Sequence, residues 1–189
     1  MHQKNLWQET SKEKIAFGNL TKSITTDLVV IGGGFTGCSA ALFAAKSGLS
    51  VTLIDQKIGY GGSGRNVGLV NAGLWMPPEN VENILGLDAG SKLNNALASA
   101  PDLVFSLIDS NQINCSANRS GTLHCAHSEK GLKDIQLRFK QLSERGAELE
   151  LLDKQQTQQR IGSSKFFGSL FNKKAGIINP LDYCLGLAR

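Results

Sequence analysis

The chain has 189 residues, a formal net charge of +4 and an ordinary mix of apolar and charged side chains, which suits a soluble globular protein of one domain or a little more. Its basic residues are dispersed, with Lys173-Lys174 the densest point near the end, and no aromatic residues interleave with them, so no nucleic-acid partner is expected. No apolar run is long enough to span a membrane, and the polar first residues lack the apolar core of a signal peptide.

Four cysteines, Cys38, Cys115, Cys125 and Cys184, form no C-x-x-C pair. The expectation is a reduced, cytoplasmic protein with structural thiols.

In chain order, residues 1–26 read as an extended arm whose one large apolar anchor is Trp7. The stretch from Asp27 to Asp55 then reads as a βαβ unit. Leu28 to Ile31 is short, apolar and β-branched, the pattern of a strand buried on both faces. Gly32, Gly34 and Gly37 stand in the G-x-G-x-x-G spacing of a dinucleotide-binding turn. The first glycine permits the tight turn, the second lets backbone approach a pyrophosphate, and the third lets helix and strand pack closely. A helix begins there and points unpaired N–H groups and its positive dipole end at phosphates. Cys38, Ala41, Leu42 and Ala45 form its apolar stripe, and Gly48 sits where it stops. Ser50 to Ile54 is a second strand, and Asp55 at its end is placed to accept a ribose hydroxyl. No Lys-Ser or Lys-Thr follows Gly37, which disfavours a P-loop, and an acid at position 55 disfavours the 2′-phosphate of NADP. An NAD-dependent dehydrogenase is the competing reading at this point.

Gln56 to Leu74 forms a glycine-rich loop, with Ser63, Arg65 and Asn66 among Gly59, Gly61, Gly62, Gly64 and Gly68. Backbone of this kind lets a cofactor lie close, and these side chains supply donors. It is not a nucleophile elbow, because Arg65 stands where G-x-S-x-G requires glycine.

On these two stretches, VVIGGGFTGCSAALFAAKSGLSVTLID and GYGGSGRNVGLV, the chain resembles the opening of the FAD-dependent amine and amino-acid oxidoreductases of the D-amino-acid oxidase and glycine/sarcosine oxidase type. It is most similar to the γ-glutamylputrescine oxidase-like branch, which the arm with Leu6, Trp7 and Thr10 also resembles. Gly62 and Val67 depart from the loop residues usual there, and Asp55 is shorter than the Glu many members carry. The resemblance implies FAD as cofactor and a loop running past the pyrophosphate and ribityl chain toward the flavin ring. The candidate cofactor-binding residues are Gly32, Gly33, Gly34, Phe35, Thr36, Gly37, Asp55, Gln56, Gly62, Ser63, Arg65, Asn66 and Gly68. In the complete enzyme the resemblance implies oxidation of a C–N bond in a small-molecule amine or amino acid by hydride transfer to flavin. No catalytic acid, base or nucleophile is assigned.

Downstream, Trp75-Met76-Pro77-Pro78 reads as a break. Leu93, Ala96, Leu97, Ala100, Leu103, Val104, Leu107 and Ile108 follow helical spacing, with Pro101 either kinking one helix or opening a second. Gly121 to Ala126 reads as a strand. His124, Cys125 and His127 alternate faces on it, so no metal site is expected. Ser128 caps a helix marked by Leu132, Ile135, Phe139 and Leu142 and ended by Gly146. A short strand over 147–152 and a helical piece from Asp153 to Ile161 follow. Asn179 and Pro180 open a last helix, whose buried residues are expected at Leu181, Cys184, Leu185 and Ala188.

The fold class expected is α/β: a Rossmann-like FAD/NAD(P)-binding domain with part of an inserted α+β substrate domain, truncated at the C-terminus. The divisions are 1–26 as arm, 27–75 as FAD-binding βαβ unit and loop, 76–175 as partial substrate domain, and 176–189 as return segment and helix. Family members continue well beyond such a segment. The resemblance therefore implies a fragment, or a subunit completed by a C-terminal chain, prone to aggregate alone through open strand edges.

Overall fold

The computed structural model describes residues 5–189; the first four residues of the expected arm lie outside the described residues. The chain divides into two compact units. One comprises residues up to 68 together with 105–117 and 177–189, and the other comprises 69–104 and 118–176.

In the first unit the arm is not wholly extended. Leu6–Glu9 forms one helical turn, α1, closed by a capping box between Asn5 and Gln8. Strand β1 (Leu28–Ile31) lies parallel to β2 (Val51–Ile54), in register from Leu28 opposite Val51 to Ile31 opposite Ile54, and α2 (Phe35–Lys46) connects them. Parallel pairing requires such a crossover. The strand is not buried on both faces as its composition predicts. Val29 is 50% exposed and Ile31 86%, because α2 covers one face of the strand pair and the described residues supply little cover for the other. The apolar stripe of α2 is likewise covered only in part: Cys38 is fully buried and Ala45 is exposed.

The last helix, α7 (Pro180–Ala188), fills the centre of this unit. Asn179 caps it, its Oδ1 accepting from the N–H groups of Leu181 and Asp182. Burial extends beyond the expected stripe to every residue from Pro180 to Leu187, while Ala188 is only half-buried. Cys38 on α2 and Cys184 on α7 bring their sulfurs to 3.8 Å as free thiols.

The fully buried Asp182 ties the arm to this helix. Its carboxylate accepts from Ser11 Oγ at 2.5 Å, from Lys12 N at 2.9 Å and from Glu13 N at 3.2 Å. Asn179 Nδ2 donates to the carbonyl of Trp7, and Trp7 Nε1 donates to the carbonyl of Asn66 at 2.7 Å.

In the second unit, β4 (Thr122–Ala126), β5 (Leu149–Leu152) and β6 (Gly168–Asn172) form an antiparallel sheet in the order β4-β6-β5. The two-residue strands β3 (Leu69–Val70) and β7 (Gly176–Ile177) form a separate two-stranded sheet. Helix α5 (Glu129–Glu144), capped by Ser128 through Gly131 N, packs Leu132, Ile135 and Phe139 against Ala126, Leu170, Leu149 and Leu151. Truncating a buried Ile such as Ile135 costs about 2–5 kcal/mol. An exposed pair such as Lys92–Asp88 contributes about 0.3–0.5 kcal/mol, so apolar burial dominates this unit's stability. Asp153 and Gln156 form the capping box of α6 (Lys154–Ile161).

Residues 78–110 add one helix and decide between the two readings of Pro101. The break after Trp75 is the start of a helix, α3 (Pro78–Leu85), with proline at its first position. Pro101 sits fully buried inside a continuous helix, α4 (Leu87–Ser110). The buried residues beyond it are Phe105, Leu107 and Ile108, while Leu103 is 53% exposed. The proline's missing N–H removes one helical bond, and its burial offsets part of that loss.

Candidate functional site

The glycine turn between β1 and α2 is built as its spacing requires. Gly32 has φ +110°, which side-chain-bearing residues avoid, and its N–H donates to Ile54 O at 2.8 Å. At Gly37 a β-carbon would run into the Gly32 carbonyl and lie 3.3 Å from Val30 Cγ1, so helix and strand are in backbone contact there. At Gly33 a β-carbon would press on Ile58, and at Gly34 it would come within 2.9 Å of Ser63 Oγ.

The loop after β2 is ordered against this turn. Gly59 N donates to Gly33 O at 2.8 Å. Ser63 Oγ accepts from Phe35 N, the first residue of α2, at 3.0 Å. A hydroxyl that accepts there keeps its own hydrogen for another acceptor. Asn66 pins the loop's exit: Nδ2 donates to Ser63 O at 2.6 Å, and Oδ1 accepts from Gly68 N at 2.7 Å. Gly61 and Gly62 have no atom within 4 Å of where a β-carbon would sit, and Arg65 is exposed, with only Nε donating to Gly61 O.

Asp55 stands at the end of β2 as expected, but its carboxylate is engaged within the turn. Oδ2 accepts from Gly33 N at 2.5 Å and Oδ1 from Lys57 N at 2.8 Å. These bonds, the one from Gly33 foremost, hold the carboxyl below the usual carboxylate range. Each carboxylate oxygen retains a second lone pair, so a ribose hydroxyl can still be accepted.

Because the folded value lies below the unfolded one, the contribution of Asp55 to stability is complete above the unfolded value and disappears as pH falls through the folded one. The difference in urea midpoint between the native chain and Asp55→Asn is therefore expected to be larger at about pH 6 than at about pH 3. An equal difference at both would mean that the carboxylate's charge contributes nothing to the turn.

Beside Asp55 and Gln56 opens a cleft of about 880 Å3, bounded also by Lys57, Tyr60, Leu185 and the arm around residues 13–17. Lys57 Nζ lies 3.7 Å from the centre of the Tyr60 ring, a cation–π contact.

The structure thus brings Gly32, Gly33, Gly34, Phe35, Thr36, Gly37, Asp55 and Ser63 around one turn, while Gln56 faces the cleft. Asn66 and Gly68 lie at the loop's exit, bonded to each other and, through Gly68 O, to Ile178 N, and Gly62 and Arg65 are exposed. Thr36 and Gly37, in the first turn of α2, present N–H groups that no residue of the helix can accept by position. A donor-rich turn with no cation in it, a hydroxyl beside it and a carboxylate one strand away fits the pyrophosphate and ribose of a dinucleotide. Sequence reasoning did not find Ser63 as the partner of Phe35, because the two are 28 residues apart and only the fold of the loop joins them.

A parallel βαβ unit with this turn, interrupted by an antiparallel sheet with helices, defines the class of Rossmann-like FAD-binding proteins that carry an α+β substrate domain. The family described as FAD-dependent oxidoreductase matches residues 27–189, and the chain belongs to it; FAD is that family's cofactor. The chain is 30% identical over 189 residues to gamma-glutamylputrescine oxidoreductase of Escherichia coli K12, covering 99% of this chain and 44% of that protein. In fold it is similar to glycine oxidase of Geobacillus kaustophilus (TM-score 0.69, 19% identity, 86% of this chain and 43% of that one). It is also similar to L-amino acid deaminase of Proteus myxofaciens (TM-score 0.72, 20% identity, 95% and 39%). The chain spans a little under half the length of these relatives. Among the described residues no helix is long and apolar enough to cross a membrane.

Proposed function

We propose that this chain supplies the FAD-binding half of an enzyme that oxidises the C–N bond of an amine or amino acid by hydride transfer to flavin. The observation that carries the reading is the turn itself: orphan N–H groups of α2, the Ser63 hydroxyl and the Asp55 carboxylate within one short stretch of backbone. Bound FAD supplies the hydride acceptor. The residues of this chain would hold the cofactor's pyrophosphate at Gly32–Gly37 and Ser63 and accept its ribose at Asp55, with Gln56, Gly62, Arg65, Asn66 and Gly68 available to the rest of it.

The amine or amino-acid substrate is supported by the names of the relatives, a glutamylputrescine oxidoreductase and oxidases or deaminases of amino acids. The exposed Val29 and Ile31 support a further polypeptide segment packing on the open face of the strand pair, since a parallel strand pair is ordinarily covered on both faces. A cytoplasmic setting is consistent with four free cysteines.

The test is isolation from the native source with any copurifying polypeptide, followed by anaerobic addition of amines and amino acids to the FAD-loaded sample. Loss of the flavin's visible absorbance with an amine or amino acid is expected. Loss with a hydroxylated substrate such as glycerol 3-phosphate, and with no amine, would overturn the substrate class.

A further inference from the structure

Arg138 lies on α5 and is only 6% exposed. Its Nη1 sits 2.5 Å from His124 Nδ1 on β4, and its Nε is buried without a hydrogen-bond partner. Among the described residues no ion pair joins it to a carboxylate. Asp134, one turn earlier on α5, acts on it electrostatically, but a buried guanidinium without a carboxylate at ion-pair distance is costly unless something supplies close opposing charge or its missing bonds. The imidazole supplies one hydrogen bond but no charge, since a nitrogen that accepts from a guanidinium belongs to a neutral ring. The Trp75 ring gives partial relief: its centre is 5.6 Å from the guanidinium carbon and 4.7 Å from the centre of the His124 ring, edge to face.

These groups line a cavity of about 30 Å3 in the second unit. Its polar walls are Arg138, His124, Thr122, Asn71 and Asn172, and no Asp or Glu lines it. The oxygen of Asn71 already accepts from Thr122 Oγ1, and that of Asn172 from Lys174 N. The unspent groups of both amides are therefore NH2 donors. The cavity thus has one fixed positive charge and two amide donors. Its volume is that of one water-sized particle.

We propose that this pocket binds a small monovalent anion, chloride or the carboxylate end of a formate-sized molecule, between Arg138, Asn71 and Asn172. The site lies between α5 and the α5-facing side of the sheet, where His124 and Leu170 are paired. The anion gives the guanidinium of Arg138 a close counter-charge and stabilises the packing of α5 on β4.

The experiment compares thermal unfolding of the full chain in sodium chloride, sodium formate and sodium gluconate at equal sodium concentration, gluconate being too large to enter. Chloride or formate is expected to raise the midpoint by about 2–4 °C over gluconate, the shift that linkage gives when a site in a chain of this size is well occupied. Chloride and formate used separately tell a halide site from a carboxylate site, and a rise with either one supports the proposal. In Arg138→Met the rise is lost, which separates the site from general salt effects. Should that variant fail to fold, Asn172→Asp gives the same readout, because it places an internal carboxylate in the pocket and removes the need for an external anion. Chloride NMR line broadening by the native chain, abolished in Asn172→Asp, is the direct measure. Equal midpoints in all three salts with no line broadening would overturn the proposal and leave the pocket to water.

Discussion

Replacing Asp182 by alanine is expected to destabilise the first unit by about 3 kcal/mol and to release the N-terminal arm. The carboxylate is fully buried and accepts three donors, from Ser11, Lys12 and Glu13. Removing one acceptor strands several donors at once, and each buried unsatisfied donor costs about 1–3 kcal/mol. The Ser11 hydroxyl can turn to water, which keeps the total near the lower end. Asp182→Asn is also expected to destabilise, by about 2 kcal/mol, because one carboxylate oxygen becomes an NH2 group facing a backbone N–H donor. The measurement is urea unfolding with limited proteolysis of the arm. A midpoint unchanged in Asp182→Ala, with the arm still protected, would mean that the arm is held elsewhere, for instance by Glu13 Oε1 accepting from Asn114 N.

Gly37→Val is expected to have the largest effect at the cofactor turn. Its β-carbon would collide with the Gly32 carbonyl, a backbone atom that cannot give way without moving the turn. Overpacking of this kind costs about 3 kcal/mol. It also displaces the N–H groups on which the pyrophosphate would rest, so FAD titration should no longer saturate. Gly61→Ala is the companion variant. No atom lies within 4 Å of its β-carbon, and its unfolding midpoint should match the native chain to within about 0.5 kcal/mol. If Gly37→Val binds FAD as the native chain does, the turn is not the pyrophosphate site.

The glycine turn was legible because its constraints are local. The spacing of Gly32, Gly34 and Gly37, the strand before them and the acid at position 55 all lie within a stretch whose geometry backbone sterics dictate. The caps at Ser128, Asp153 and Asn179 were legible for the same reason. What the sequence left hidden depends on distant partners. Asp182 reads as an ordinary acid in a first helical turn, and nothing near it announces the arm about 170 residues away. Arg138 reads as a solvated helix residue until β4 and Trp75 close over it. Strand β6, the central strand of its sheet, carries Gly168, Ser169, Leu170, Phe171 and Asn172, too brief and irregular a pattern to separate from loop. Composition predicted burial of β1 on both faces, but the exposure of Val29 and Ile31 depends on what lies opposite, which no single strand encodes.

The most direct measurement is a titration of the full chain with FAD, followed by flavin fluorescence, with ADP and its 2′-phosphorylated form as competitors. If the turn, Ser63 and Asp55 hold the ADP end of the cofactor, binding saturates, ADP displaces FAD, and the 2′-phosphorylated competitor is weaker because Asp55 repels the added charge. No saturable FAD binding, or tighter binding of NAD than of FAD, would contradict the assignment of this turn to FAD.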